Sequence, residues 1–192
     1  MIWSIVAIAV VVLLALVVVT TYNRLVRLRN RTENAWAQVD VQLRRRYDLI
    51  PNLVETVKGY AAHERGTFDS VTEARTSAQR AATVEQQAAA ENALTAAIGR
   101  LFAVAEAYPE LRATENFQQL QGQLTDTEDQ IQGTRRVYND SVLAYDNALQ
   151  TVPTSLVAAM VRFEPKPYFE IDEPSRAVPE AGFSALPAPQ DG

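Results

Sequence analysis

The rhythm of apolar positions divides the chain into three stretches. From Ile2 to Val19 every residue except Ser4 is apolar. Beyond Tyr22 apolar residues recur at intervals of three, four and seven between charged and amide side chains, the spacing that lines one face of an α-helix. No alternating strand pattern of useful length interrupts it, so an all-α chain is predicted. After Val152 the rhythm stops, and seven of the nine prolines follow.

Four amphipathic segments fill the middle. The first sets Leu25, Leu28, Trp36, Val39 and Leu43 against Arg29, Glu33, Asp40 and Arg44, and runs straight on from the apolar stretch. The second carries Val54, Val57, Ala61, Phe68, Val71 and Ala78, ending in the polar QRAATVEQQ. The third carries Leu94, Ile98, Leu101, Phe102, Ala105 and Tyr108, and stops at Pro109 because proline disfavours helical geometry in the residue before it. The fourth is a strict heptad: Phe117, Leu124, Ile131, Tyr138, Tyr145 and Val152 form a bulky row beside Leu120, Thr127, Thr134, Ser141 and Ala148. That repeat predicts bundle or coiled-coil packing with a left-handed supercoil.

At ~1.5 Å per residue, Ile2 to Val19 spans about 27 Å, close to the hydrocarbon thickness of a bilayer, which predicts a transmembrane anchor over residues 1–21. A cleaved signal peptide is the alternative. Against it, no basic residue precedes the run, the run exceeds the usual signal core, and VVVTTYN is a poor small-residue cleavage site. Arg24, Arg27, Arg29 and Arg31 follow the apolar run, so the positive-inside rule puts the C-terminal domain in the cytoplasm and the short N-terminus outside. Those four arginines are the expected contact with the bilayer surface and its anionic headgroups.

The stretch RRRYDLIPNL, Arg44 to Leu53, admits two readings. Asp48 can cap a helix with Pro51 in its first turn, which favours a helix boundary near Leu49 and Ile50. Leu43, Ile50 and Val57 nevertheless keep sevenfold spacing across the proline, so a kinked continuous helix is the alternative. Arg44, Arg45 and Arg46 fan out about 100° apart on a helix, too widely for a compact anion pocket, and read as a solvated helix end.

Charge and composition exclude much chemistry. The chain carries a net charge of -5 although its first basic stretch holds seven arginines against Glu33 and Asp40, so the body past residue 46 is strongly acidic and nucleic acid is not an expected partner. There is no cysteine and one histidine, His63, which rules out thiolate sites and leaves imidazole sites almost nothing to work with. His63-Glu64 continues as Arg65, Gly66 and Thr67 and is not a zinc-protease motif. Pairs such as Glu128 and Asp129 read as a charged helix face. No catalytic constellation, metal site or cofactor is expected.

After Val152, Pro153 and Thr154 open a short helix, LVAAMVRF, and the chain then turns into an extended proline-rich tail, 164–192, with disorder expected after about residue 172. Phe163, Pro165, Pro167, Tyr168 and Phe169 make FEPKPYFE too aromatic for a spacer, and it is predicted to dock on the helical domain or on a partner.

The blocks YNRLVRLRNRTENAWAQVDVQLRRRYDLIPNLVETVKGYAAHE, GRLFAVAEAYPELRATENFQQLQ, YNDSVLAYDNALQ with VPTSLVA, and FEPKPYFE resemble the LemA family of bacterial membrane-anchored proteins. The resemblance implies an antiparallel up-and-down four-helix bundle over residues 22–163, which would place a helix boundary at Pro51, and it brings no catalytic positions. The expected function is a single-pass membrane scaffold or adaptor, presenting its bundle surface and aromatic tail to envelope proteins or to copies of itself. A membrane-linked signalling or sensing module is the alternative.

Overall fold

The computed structural model describes residues 2–171. The expectation about the segment after residue 172 therefore falls outside the described residues. Among these residues the chain is all-α: α1 (Ile2–Lys58), α2 (Arg65–Arg80), α3 (Val84–Glu106), α4 (Pro109–Arg112), α5 (Glu115–Gln150) and α6 (Thr154–Val161). The apolar part of α1 is exposed along its length, and it is the one described helix long and apolar enough to cross a membrane. Burial begins at Thr21 and Leu25 and continues through Thr32, Ala35, Val39, Leu43, Arg46, Ile50, Leu53 and Val57.

Helix α5 lies antiparallel along this buried stripe. Thr32 Oγ1 donates to the Ser141 carbonyl at 3.2 Å, Trp36 meets Tyr138 with ring centroids 5.1 Å apart, and Asn116 Nδ2 donates to Thr56 Oγ1 at 3.2 Å. Partner numbers fall on α5 as they rise on α1. The bulky heptad row is buried from Phe117 through Tyr145, but Val152 is exposed, because the helix ends at Gln150 and the chain turns there. Helices α2 and α3 pair in the same antiparallel sense, with Arg100 Nη2 donating to Ser70 Oγ at 2.9 Å and Gln87 Nε2 to the Ala78 carbonyl at 3.3 Å. Thr83 caps α3 by accepting from the Gln86 backbone N–H at 3.2 Å, and Thr114 caps α5 by accepting from Phe117 N–H at 3.4 Å.

The expected helix boundary at Pro51 is not there. Helix α1 runs through the proline and stops at Lys58, followed by the turn residues 59–64. A proline inside a helix removes one backbone donor, and the carbonyl four residues earlier, here that of Tyr47, loses its partner. Arg75 of α2 supplies the replacement, its Nε donating to the Tyr47 carbonyl at 2.8 Å. Pro51 itself is exposed, so its ring meets solvent, not core. Sequence spacing had the right face, while the capping pattern at Asp48 suggested a start that tertiary contacts override.

Replacing Arg75 with Ala should leave that carbonyl unserved and destabilise the full chain in detergent by about 1–3 kcal/mol. On a Pro51→Ala background, where residue 51 regains an N–H for the same carbonyl, the loss should be distinctly smaller. Thermal melts followed by circular dichroism read both. Equal losses on the two backgrounds would show that the guanidinium does not replace the missing donor.

Candidate functional site: a buried ionic node, a basic collar and an aromatic strap

Two clusters of polar and aromatic groups stand out, one inside the helical domain and one where it meets the apolar part of α1. The inner cluster begins at Arg46. Its neighbours Arg44 and Arg45 are exposed, and Arg44 pairs with Asp40 one turn back at 2.9 Å. Arg46, expected at a solvated helix end, is instead buried, because it sits in the seam between Leu43 and Ile50. Its guanidinium reaches Glu91 Oε2 at 3.1 Å, Thr95 Oγ1 at 2.8 Å and Glu128 Oε2 at 3.4 Å. The Tyr47 hydroxyl donates to Glu91 Oε1, and Gln87 Nε2 donates both to that hydroxyl at 2.8 Å and to Glu91 Oε1 at 3.0 Å.

Glu91 is 0% exposed, and every oxygen it buries has a donor. Burial raises its pKa above the ordinary carboxylate range, against the opposing pull of the Tyr47 hydroxyl, Arg46 and Gln87. Burial, followed by the Glu91 charge, pushes the Tyr47 phenol far up as well, so it stays protonated and remains a donor. The node joins α1, α3 and α5 through one arginine shared between two carboxylates. Of the node, Tyr47 and Gln87 also line a recess of about 460 Å³ beside Asp40, Arg44 and Asp48, whereas Arg46 and Glu91 do not line it. Among the described residues no group of three or more His, Asp and Glu side chains is placed to hold a metal ion. The Arg46–Glu91 pair itself is spent internally.

The outer cluster contains the predicted collar. Arg24, Arg27, Arg29 and Arg31 are all exposed. Arg29 has internal company: it lies 3.9 Å from Glu33, and its guanidinium sits 5.6 Å from the centre of the Phe163 ring. Among the described residues, Arg24, Arg27 and Arg31 make no ion pair.

The aromatic segment forms a strap along α5. Arg162 ends α6 in the left-handed region (φ 59°, ψ 50°), and Phe163 N–H reaches back to the Ala158 carbonyl at 3.0 Å. This reversal seats Phe163 beside Tyr22, with centroids 6.0 Å apart. The strap then follows α5 away from α6: Tyr145 donates to the Glu164 carbonyl at 3.1 Å, and Tyr138 to the Pro167 carbonyl at 2.8 Å. Asn139 accepts from Phe169 N–H at 2.9 Å and donates to its carbonyl at 3.2 Å, and Arg135 donates to the Ile171 carbonyl at 2.9 Å. Lys166 crosses to Glu33 at 3.6 Å.

Of the strap residues, Phe169 is fully buried, with its ring edge-on to Trp36 at 5.2 Å. Phe163 and Pro167 are half-buried, and Pro165 and Tyr168 are exposed. Burial, with the charges of Glu85 and Asp146, pushes the Tyr138 phenol up to about 12, which keeps its proton on the bond to Pro167. The strap therefore brings Phe163 and Phe169 to the α1/α5 face at different heights, while the collar arginines other than Arg29 stand apart from it.

Sequence reasoning missed Arg46, Tyr47, Gln87 and Glu91. A signal was present: Val39, Leu43, Arg46, Ile50, Leu53 and Val57 alternate by fours and threes, so Arg46 occupies a seam position. Glu91 occupies another, between Ala88 and Leu94. One charge of each sign in two apolar seams is the mark of an internal pair.

Because folded Glu91 holds its proton more tightly than the unfolded chain does, its contribution to stability is complete below the ordinary carboxylate range and is lost as pH rises through its raised folded value. Melts compared with Glu91→Gln should show the wild type losing ground as pH climbs above that range; a wild type that gains ground would assign Glu91 the opposite shift. For the strap, Asn139→Ala removes two bonds to Phe169. Chymotrypsin cleavage beside Tyr168 and Phe169 should then speed up roughly tenfold, as local opening becomes easier. An unchanged cleavage rate would mean that the ring contacts alone hold the strap.

The LemA family profile matches residues 35–183. Magnetosome protein MamQ 2 of Paramagnetospirillum magneticum is 25% identical over 175 residues, covering 78% of this chain and 64% of its own. Magnetosome protein MamQ of Magnetospirillum gryphiswaldense is 24% identical over 174 residues, with 77% and 64% covered. Protein LemA of Metamycoplasma hominis is 25% identical over 138 residues, covering 71% and 63%. The chain thus spans just under two thirds of the length of these relatives. The matched region holds Trp36, the ionic node, α5 and the strap, and on that match this chain belongs to the LemA family.

Proposed function

We propose that the chain is a single-pass, membrane-anchored scaffold or adaptor without catalytic activity, working through contacts with envelope membrane proteins or with copies of itself. The observation that carries this reading is the internal use of its buried ionisable groups: Arg46 and Glu91 satisfy each other, and among the described residues no cluster of His, Asp and Glu side chains is placed to hold a metal ion. The names of the magnetosome relatives describe membership of a cellular structure and not a reaction, which agrees with this reading.

In this proposal the membrane-distal part of α1 with α2, α3 and α5 makes up an antiparallel up-and-down four-helix bundle, residues 1–21 form the anchor, and the strap closes the α1/α5 face. The domain lies on the cytoplasmic side. Arg24, Arg27 and Arg31 face anionic headgroups, each contributing about 1 kcal/mol of attraction. Anchoring confines the domain to two dimensions, where weak interfaces suffice for association.

One observation favours a second reading, a sensing module: α1 is uninterrupted from the apolar run into the packed domain, so movement of one end is transmitted to the other. Crosslinking in intact cells followed by mass spectrometry separates the two. A scaffold should give reproducible crosslinks to envelope proteins or to itself that survive one-residue alanine insertions after Thr21. A sensor should show crosslinks that come and go with the rotation each insertion imposes. Recovery of an uncrosslinked monomer across lipid compositions would remove both.

A further inference from the structure

Helix α6 is short, and its outward face is apolar where a water-facing helix would be polar. Thr154, Val157 and Ala158 are buried, the last two packing with Leu25, Tyr145 and Ala148. On the opposite side Leu156 is 64% and Met160 78% exposed, and the flanking Val152 and Val161 are exposed too. Single exposed apolar residues are ordinary, but Leu156 and Met160, four positions apart, share one face and exposed Val152 precedes them, an apolar strip that calls for a covering surface.

The height of α6 identifies that surface. Its contact Leu25 lies six residues beyond Val19, the end of the apolar run, and Thr21, also buried, lies two residues beyond it. At ~1.5 Å per residue Thr21 stands about 3 Å past the hydrocarbon edge, inside a headgroup layer some 5–8 Å thick, and Leu25 about 9 Å past it, at that layer's outer limit. Helix α6 packs on α1 at the level where an embedded anchor emerges.

The charges around the patch agree. Arg24, Arg27 and Arg162 are exposed at this end of the molecule. Beside them, a recess of about 280 Å³ is lined by Tyr22, Arg29, Arg162, Phe163 and Lys166 together with one acid, Glu164, a net basic and aromatic lining suited to the polar boundary of a bilayer. An apolar strip rimmed by arginines is the pattern of a helix lying in the interface plane.

We propose that α6 is a second membrane contact: Leu156 and Met160 dip into the headgroup and acyl boundary of the leaflet from which α1 emerges, while Arg24, Arg27 and Arg162 meet anionic headgroups. The domain then rests on the bilayer at two points, the anchor and α6, and its α1/α5 face is held at a fixed angle to the membrane. This rests on the reading of Ile2 to Val19 as embedded in lipid.

The chain has no cysteine, so single cysteines can carry a polarity-sensitive fluorophore. Met160→Cys, Leu156→Cys, Val6→Cys and Val137→Cys, each in the full chain in phosphatidylcholine nanodiscs with and without phosphatidylglycerol, test the proposal. Val6 reports the anchor, and Val137, exposed on α5 far from the anchor, reports water. The expected result is a blue-shifted spectrum at residues 156 and 160, quenched more by spin labels near the headgroup than by labels near the chain end. Quenching should rise with phosphatidylglycerol, and Arg162→Gln should remove part of that rise. A water-like spectrum at 156 and 160 with a lipid-quenched label at 6 overturns the α6 contact and leaves the anchor standing. Water-like spectra at all three remove the anchor and the contact together. A blue shift at 160 without lipid quenching shows that protein, such as a second copy, covers the patch, and overturns the proposal. Quenching indifferent to lipid charge overturns the part given to the arginines.

Discussion

The architecture depends on a single backbone carbonyl. Helix α1 carries the apolar run, the stripe that receives α5 and the residues that meet α2 and α3, so a break at Pro51 would divide the domain from within. The proline removes the donor that the Tyr47 carbonyl needs, and a buried carbonyl without a donor is expensive. The Arg75 guanidinium fills that role from the neighbouring helix. Continuity of α1 is therefore a tertiary property, dependent on α2 being in place, and not a local property of the RRRYDLIPNL stretch.

The same turn organises the interior. Tyr47 offers its carbonyl to Arg75 and its hydroxyl to Glu91, while Arg46, one residue earlier, reaches Glu91, Thr95 and Glu128. Against a well-packed apolar replacement such a buried pair adds little stability, since removing two charges from water offsets most of their attraction. It does make wrong packings costly. Sliding α3 by one turn along α1 would leave Arg46 and Glu91 buried and apart, which a seam of leucines alone would tolerate. The heptad of α5 sets which face packs, and the ionic node sets at what height.

How much of this was readable in sequence differs by element. The buried row from Phe117 to Tyr145 and the short helix after Pro153 follow directly from heptad spacing and proline position, because bulky residues at a helical period have few other arrangements. The all-α character and the apolar N-terminal helix were equally open. The end of α1 was not, since Asp48 before Pro51 is a sound local capping pattern and the guanidinium that overrides it comes from a residue 28 positions away in sequence. Arg46 was misread for a related reason. Three consecutive arginines suggest one environment, but successive helical residues point in different directions, and one of the three falls in the seam. The family was legible in the blocks that the LemA profile matches, and nothing in the sequence supplied the Asn139 pair that holds Phe169.

The strap and α6 make the end of the domain nearest the apolar run differ from its middle. In the middle, shape is enforced by buried charges that satisfy one another and their polar neighbours. Near the apolar run, the contacts are a cation over a ring, two tilted aromatics and a short helix with an apolar outer face. Rings and arginines are amphipathic and tolerate a graded environment, whereas the apolar outer face of α6 is better covered by lipid than by water. On the proposed two-point seating, such a domain keeps its internal register through the ionic node, while the anchor and α6 set the angle at which it meets the membrane. The continuous α1 then carries that angle into the direction in which the α2/α3 pair projects, a geometric coupling that needs no chemistry.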